Sequence, residues 1–142
     1  MVTREQVVEQ ARGLVGTTWR HQGRQTATGL DCVGLIVRVY TDLGLSVHDH
    51  TGYGRRGSDP AFLGHFLTAG CTEKPMADRQ IGDLIIFNQR ITTCHVAFLS
   101  VRRGIEYIIH SHASRRQVVE EPFSEEWRKI ARHCLQTPGL ED

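Results

Sequence analysis

The chain has 142 residues, a length for one domain with no room for a second catalytic or regulatory one. Lys and Arg (17) nearly balance Asp and Glu (16), so a net charge of +1 offers no broad field for gripping DNA or an anionic bilayer, and no nucleic-acid partner is expected. Hydrophobic residues at 39% are ordinary for a globular chain, no apolar run approaches the roughly 18 residues that span a membrane, and the charged start MVTREQVVEQ lacks the apolar core of a signal peptide.

In chain order, Thr3 with Gln6 forms a capping box, and Val7, Val8, Ala11 and Leu14 fall on one stripe, which predicts a helix from Thr3 to Leu14 closed by Gly13 and Gly16. Residues Thr17 to Leu30 have no clear period and read as a loop carrying Trp19. From Asp31 the pattern turns apolar, with Val33, Ile36, Val37, Tyr40 and Leu43 at helical spacing and Gly44 as the stop; this is the expected central buried helix. Leu45 to Ser58 reads as a long loop rich in Gly, His and Arg, a candidate rim of a site.

A short helix is expected from Asp59, with Pro60 at its first position and Phe62, Leu63, Phe66 and Leu67 inward, ending at Gly70. Strands follow over Gly82–Asn88, Cys94–Val101 and Ile105–His110, the last pair joined by a tight hairpin at Arg102-Arg103-Gly104. A fourth strand over Arg116–Glu120 and a closing helix near Ser124–Leu135 complete the chain. Helices first and an antiparallel meander afterwards is the α+β class.

Cys32 occupies the first turn of the most hydrophobic helix, where unsatisfied amides and the positive end of the helix dipole favour a thiolate and can hold an oxyanion. A buried core cysteine is the competing reading. Asp31 precedes it as a cap, and Gly34 leaves room for the close approach of another chain segment. A thiol nucleophile needs a base: His95 lies in a strand beside Ala97 and faces Cys32 if the sheet packs on the helix. A third polar group orients that imidazole, and spacing leaves His110 and His112 both open.

The segments GTTWRHQGRQTATGLDCVGLIVRVY, GDLIIFN, HVAFLS and YIIHSH, from about Arg12 to His112, resemble in order and spacing the NlpC-type cell-wall cysteine peptidases, a papain-like family. The resemblance implies a papain-like α+β fold filling 1–142, with four to six strands. It makes Cys32 the nucleophile, His95 the general base and His110 the orienting residue, with no metal or organic cofactor. It also implies peptidoglycan stem peptides as substrate, cut between D-glutamate and a diamino acid. Trp19, Asp31 and Val33 match positions that line the family's substrate cleft, although many members carry Tyr in place of Trp19 and Ser in place of Val33. These departures suggest intact, cross-linked wall as substrate.

The short form with WRHQ before the nucleophile is similar to phage tail and gene-transfer-agent tail-tip peptidases. That likeness implies tail-tip or hub proteins as partners and a place in the virion, reached without a signal peptide. Rival readings are an amidase or acyltransferase on the same scaffold, and a non-catalytic tail plug. Zinc is the rival chemistry, since Cys94, His95, His110, His112, His133 and Cys134 supply ligand types, but none has a zinc-finger or HExxH spacing. His48-Asp49-His50 reads as an exposed polar loop. Arg55-Arg56 and Arg115-Arg116 read as solvated, within reach of wall-peptide carboxylates. Cys71, Cys94 and Cys134 read as structural, and Trp127 as core or a docking contact.

Overall fold

Thr3 opens the first helix of the computed structural model, which describes residues 2–49, 62–89 and 92–141. Both halves of the capping box are present: the Thr3 hydroxyl accepts from the Gln6 amide, and the Gln6 side chain accepts from the Thr3 amide. Strand β1 (Val2–Thr3) leads into helix α1 (Arg4–Arg12), which buries Val7, Val8 and Ala11. The segment expected as a plain loop, Thr17–Leu30, contains a small antiparallel hairpin, β2 (Arg24–Gln25) with β3 (Gly29–Leu30). Two-residue strands are too short to show an alternating pattern.

Helix α2 (Cys32–Leu43) is capped by Asp31, whose carboxylate accepts from the Gly34 amide at 2.7 Å, a bond worth about 1 kcal/mol to the helix. It stops at Gly44 in the left-handed region (φ 74) and buries Leu35, Ile36, Val39 and Tyr40. Of the predicted loop Leu45–Ser58, residues 45–49 are irregular and the remainder lies outside the described residues, as do Asp59 and Pro60. Helix α3 (Phe62–Thr68) buries Phe62 and Phe66, but Leu67 is 43% exposed rather than inward, because a helix this short turns only one stripe to the core.

After strand β4 (Thr72–Lys74) come β5 (Leu84–Gln89), β6 (Thr92–Arg102), β7 (Ile105–His112) and β8 (Gln117–Pro122), paired antiparallel in sequence from β5 to β8. Arg102 pairs with Ile105, and Arg103 and Gly104 between them both have positive φ (53 and 77), as a two-residue type I′ hairpin requires. The closing helix is shorter than its sequence pattern: α4 covers only Glu125–Ile130, and Ala131–Gln136 is strand β9. Strand β9 fills the space between β4 and β5, giving the order β4-β9-β5-β6-β7-β8. The open edge of β5 offers hydrogen bonds that outweigh continued helix, and Cys134 and Leu135 are buried there. Strand β10 (Leu140–Glu141) closes the chain against β1, in parallel.

Two cores result. Helices α1, α2 and α3 cover the sheet face that carries Leu84, Ile86, Val96, Phe98 and Ile109. The other face, with Ile85, Phe87, Ala97, Leu99 and Ile108, is covered by Phe123 and by Trp127 and Ile130 of α4. Fully buried Asp83, just before β5, pairs with Arg4 of α1 (2.8 Å) and with Lys74 of β4 (2.6 Å). Among the described residues, no helix is long and apolar enough to cross a membrane.

Candidate active site

The register of β6 decides where its histidine points. His95 pairs with Phe87 and follows the alternation of Ala97 and Leu99, so it emerges on the face that α4 covers. Helix α2 covers the opposite face, over Val96 and Phe98. The link between the start of α2 and the histidines lies at the end of β7. There the buried Ser111 hydroxyl donates to the Leu30 carbonyl at 2.5 Å, tying the turn that carries Asp31 and Cys32 to the strand between His110 and His112.

His95 and His110 come together: Nε2 of His95 lies 2.6 Å from Nδ1 of His110, and both rings are buried. His110 Nε2 in turn lies 2.7 Å from Oε2 of Glu121. His110 is thus the ring that meets His95 end to end. His112 packs edge-on to His95 with centroids 5.3 Å apart, and its Nδ1 is bonded to the Ser114 hydroxyl. Trp127, expected in the core or at a docking contact, packs partly buried against the second core and also walls this cluster, stacked on His95 at 5.7 Å and edge-to-face with His110 at 5.0 Å and His112 at 5.5 Å.

Sequence reasoning missed Glu121. Its signal was the pairing of β7 with β8: His110 stands opposite Val119, and two residues on along β8 the same face presents Glu121. The His110 hydrogen bond holds the Glu121 carboxyl below its usual range, so it is ionised at neutral pH. Burial, with the neighbouring His110 and His112, pushes His95 well below the ordinary histidine value and keeps it neutral. A neutral, buried imidazole whose far nitrogen is already bonded is suited to take a proton rather than to carry a standing charge.

Cys32 is the first residue of α2, partly buried against the helix-side core. Asp31, assigned by resemblance to the substrate cleft, is itself buried, and its carboxylate also accepts from the Gln22 amide (2.8 Å) and Arg24 (3.0 Å). It fixes the turn before the nucleophile position. Gly34 does admit a close neighbour: a Cβ there would collide with the Gly23 carbonyl. Trp19 lines an open groove with Arg20, His21 and Arg116, whereas Val33 lines an apolar cavity between α2 and α3 that shares no lining residue with it. His48 stacks on His65, Asp49 pairs with Arg24, and His50, Arg55 and Arg56 lie outside the described residues. Cys71 and Cys134 are buried structural thiols, raised by burial to about 11 and about 12. Among the described residues, no three His, Cys, Asp or Glu side chains are arranged to hold a metal ion.

Solved structures match this fold over nearly the whole chain. A lipoprotein-like NLP/P60 family protein from Staphylococcus aureus has a TM-score of 0.67 at 20% identity, over 98% of this chain and 42% of that one. The NlpC/p60 domain of the peptidoglycan hydrolase SagA gives 0.65 at 20% identity, over 96% and 100%. Ly7917, solved with the hydrolysing product of MDP, gives 0.63 at 17% identity, over 97% and 64%. The chain therefore spans less than half the length of the staphylococcal protein, and at these identities the likeness establishes the papain-like α+β fold. No curated protein matches significantly. The NlpC/P60 family pattern matches residues 16–135, which is most of the sequence, and the chain belongs to the NlpC/P60 family.

Proposed function

We propose that this protein is a cysteine endopeptidase that hydrolyses peptidoglycan stem peptides, between D-glutamate and the diamino acid, through Cys32, His95 and His110. The observation that carries the reading is the buried run His95–His110–Glu121, with bonds of 2.6 and 2.7 Å, on strands tied through Ser111 to the turn that precedes Cys32. Burying imidazoles in such a run is costly unless each nitrogen is used, which argues against a tail plug that serves only for contacts. The family, the peptidoglycan hydrolase SagA and the hydrolysing product of MDP held by Ly7917 support the substrate class.

In this reading neutral His95 takes the Cys32 proton as sulfur attacks the peptide carbonyl. The oxyanion is held by the Cys32 amide at the helix start. His95 then protonates the leaving amine, giving a thioester, and activates the water that hydrolyses it. The likeness of the Trp19–Gln22 segment to tail-tip peptidases supports a setting at the phage tail tip, docked on hub proteins and acting on the wall from the virion.

Digestion of purified peptidoglycan by the wild type and by Cys32→Ala, with mass spectrometry of the released fragments, tests the assignment. Activity lost in the variant, with cleavage after D-glutamate, is the expected result. Cleavage at the lactyl–L-Ala amide would make the protein an amidase, and equal release by both proteins would sink the cysteine mechanism.

A further inference from the structure

Beside the catalytic turn lies an open groove of about 610 Å³, lined by Thr18, Trp19, Arg20, His21, Ala113 and Arg116. No acidic residue lines it. Several arginines elsewhere are engaged, Arg12 with Glu120, Arg79 and Arg128 with Glu106, and Arg115 with Glu121. The guanidinium groups of Arg20 and Arg116 have no partner among the described residues, and both side chains are exposed. In a chain of net charge +1, two cations that face one concavity and have no acidic partner among the described residues form a local field that the global charge hides.

The groove is built rather than incidental. Its two walls are locked to each other by the Trp19 amide donating to the Arg116 carbonyl (2.9 Å) and by the bridge between Thr18 and Gln117. Arg116 is held at φ 61, a left-handed conformation that a long side chain adopts only when its surroundings impose it. The Arg116 amide is tied to the His112 carbonyl (2.9 Å), and Thr18 accepts from the Leu30 amide (2.9 Å), one residue before Asp31. Gly29 permits that closeness, since a Cβ there would stand 2.7 Å from the Thr18 carbonyl oxygen. Each wall is thus anchored within two residues of a group placed in the chemistry.

We propose that this groove binds a carboxylate of the substrate, with Arg20 and Arg116 as the cations and Trp19 as the apolar surface beside them. The proposal rests on the wall-peptide reading and deepens it: an acidic stem peptide, carrying the free α-carboxylate of its glutamate, is drawn into register beside Cys32. Guanidinium groups suit carboxylate and phosphate alike. The carboxylate is favoured because both walls of the groove are tied, through Leu30 and His112, to the segments that carry Cys32 and His110.

The test uses full-length Cys32→Ala protein, so that nothing turns over, titrated by NMR with muramyl-L-Ala-D-glutamate and with muramyl-L-Ala-D-isoglutamine, which differ only in amidation of that carboxylate. The free acid is expected to bind about tenfold more tightly, a ratio appropriate to a charge-assisted over a neutral hydrogen bond. Arg20→Gln and Arg116→Asn, the latter chosen because Asn tolerates a left-handed backbone, should each shrink that preference, and Arg20→Glu should reverse it. Equal affinity for both dipeptides, or a preference unchanged in all three variants, overturns the proposal. Binding of inorganic phosphate at this groove without any preference between the dipeptides overturns it in favour of a phosphate polymer. The catalytic reading fails separately, if Cys32→Ala still digests peptidoglycan.

Discussion

The Glu121 carboxylate stands 2.7 Å from Nε2 of His110, and this contact fixes a hydrogen on that nitrogen, because an ionised carboxylate only accepts. With that one hydrogen on His110, its Nδ1 accepts and His95 donates from Nε2. Nδ1 of His95 is left with its lone pair, the form a general base requires. In the proposed mechanism Glu121 is therefore a positioning residue. Removing a hydrogen bond to a charged group costs roughly 1.5–3 kcal/mol, so Glu121→Ala should lower kcat by about 10- to 100-fold with KM little changed. Glu121→Gln, which can still accept from His110, should recover part of the loss. Histidine ¹⁵N shifts would report the tautomers directly, and a Glu121→Ala protein with wild-type shifts and kcat would refute the assignment.

Among the three cysteines whose side chains are described, thiol reactivity should single out Cys32, at the helix start. Cys71 and Cys134 are buried, with pKa values raised to about 11 and about 12, so at neutral pH they are protonated and shielded. Brief iodoacetamide treatment of the native protein, followed by peptide mapping, should alkylate Cys32 and leave the peptides of Cys71 and Cys134 unmodified. Labelling of either buried thiol at the Cys32 rate would contradict this ordering.

Acid should destabilise the fold in two stages. His95 is depressed below 6.5 mainly by burial, so its neutral form is favoured in the folded state. Above pH 6.5 this costs nothing; as pH falls below 6.5 the unfolded chain takes up the proton first and stability declines. Glu120 is held at about 2, against 4.5 unperturbed, by Arg12, Arg102 and Ser100, which outweigh its burial. Its contribution is present above 4.5 and is lost between 4.5 and about 2. Melting temperatures across pH should therefore fall in both windows, and Glu120→Gln should reduce only the lower drop, the remainder of which comes from Glu106 and Glu121, also held low.

Gly34 should tolerate no side chain. A Cβ at this position would overlap the Gly23 carbonyl, a backbone atom that cannot swing aside. Gly34→Ala should cost about 1–3 kcal/mol or more in urea denaturation, the range for overpacking a tight site. It should also displace the Asp31 cap, which bonds to the Gly34 amide. Wild-type stability in this variant would mean that the Gly23 turn is free to move.

Local chemistry was legible wherever neighbours in the chain determine the outcome. The Thr3 capping box, the Asp31 cap and the αL stop at Gly44 depend on groups a few residues apart. So does the Arg103-Gly104 turn, and all four stand where the sequence places them. Cys32 at a helix start and two histidines on successive strands were legible for the same reason.

Long-range pairing decided the rest. Residues Ala131–Gln136 carry a pattern compatible with a helix, yet they form a strand because the edge of β5, more than 40 residues away in sequence, presents unpaired backbone groups. Which of His110 and His112 meets His95, that Glu121 stands behind them, and that Trp127 walls the cluster all follow from strand register and from the return of α4 over the sheet. Neighbours in the chain set which groups could act and the local turns that hold them. Which of those groups touch was set by register and sheet order, because these are settled by burial and hydrogen bonding summed over strands that are remote along the chain.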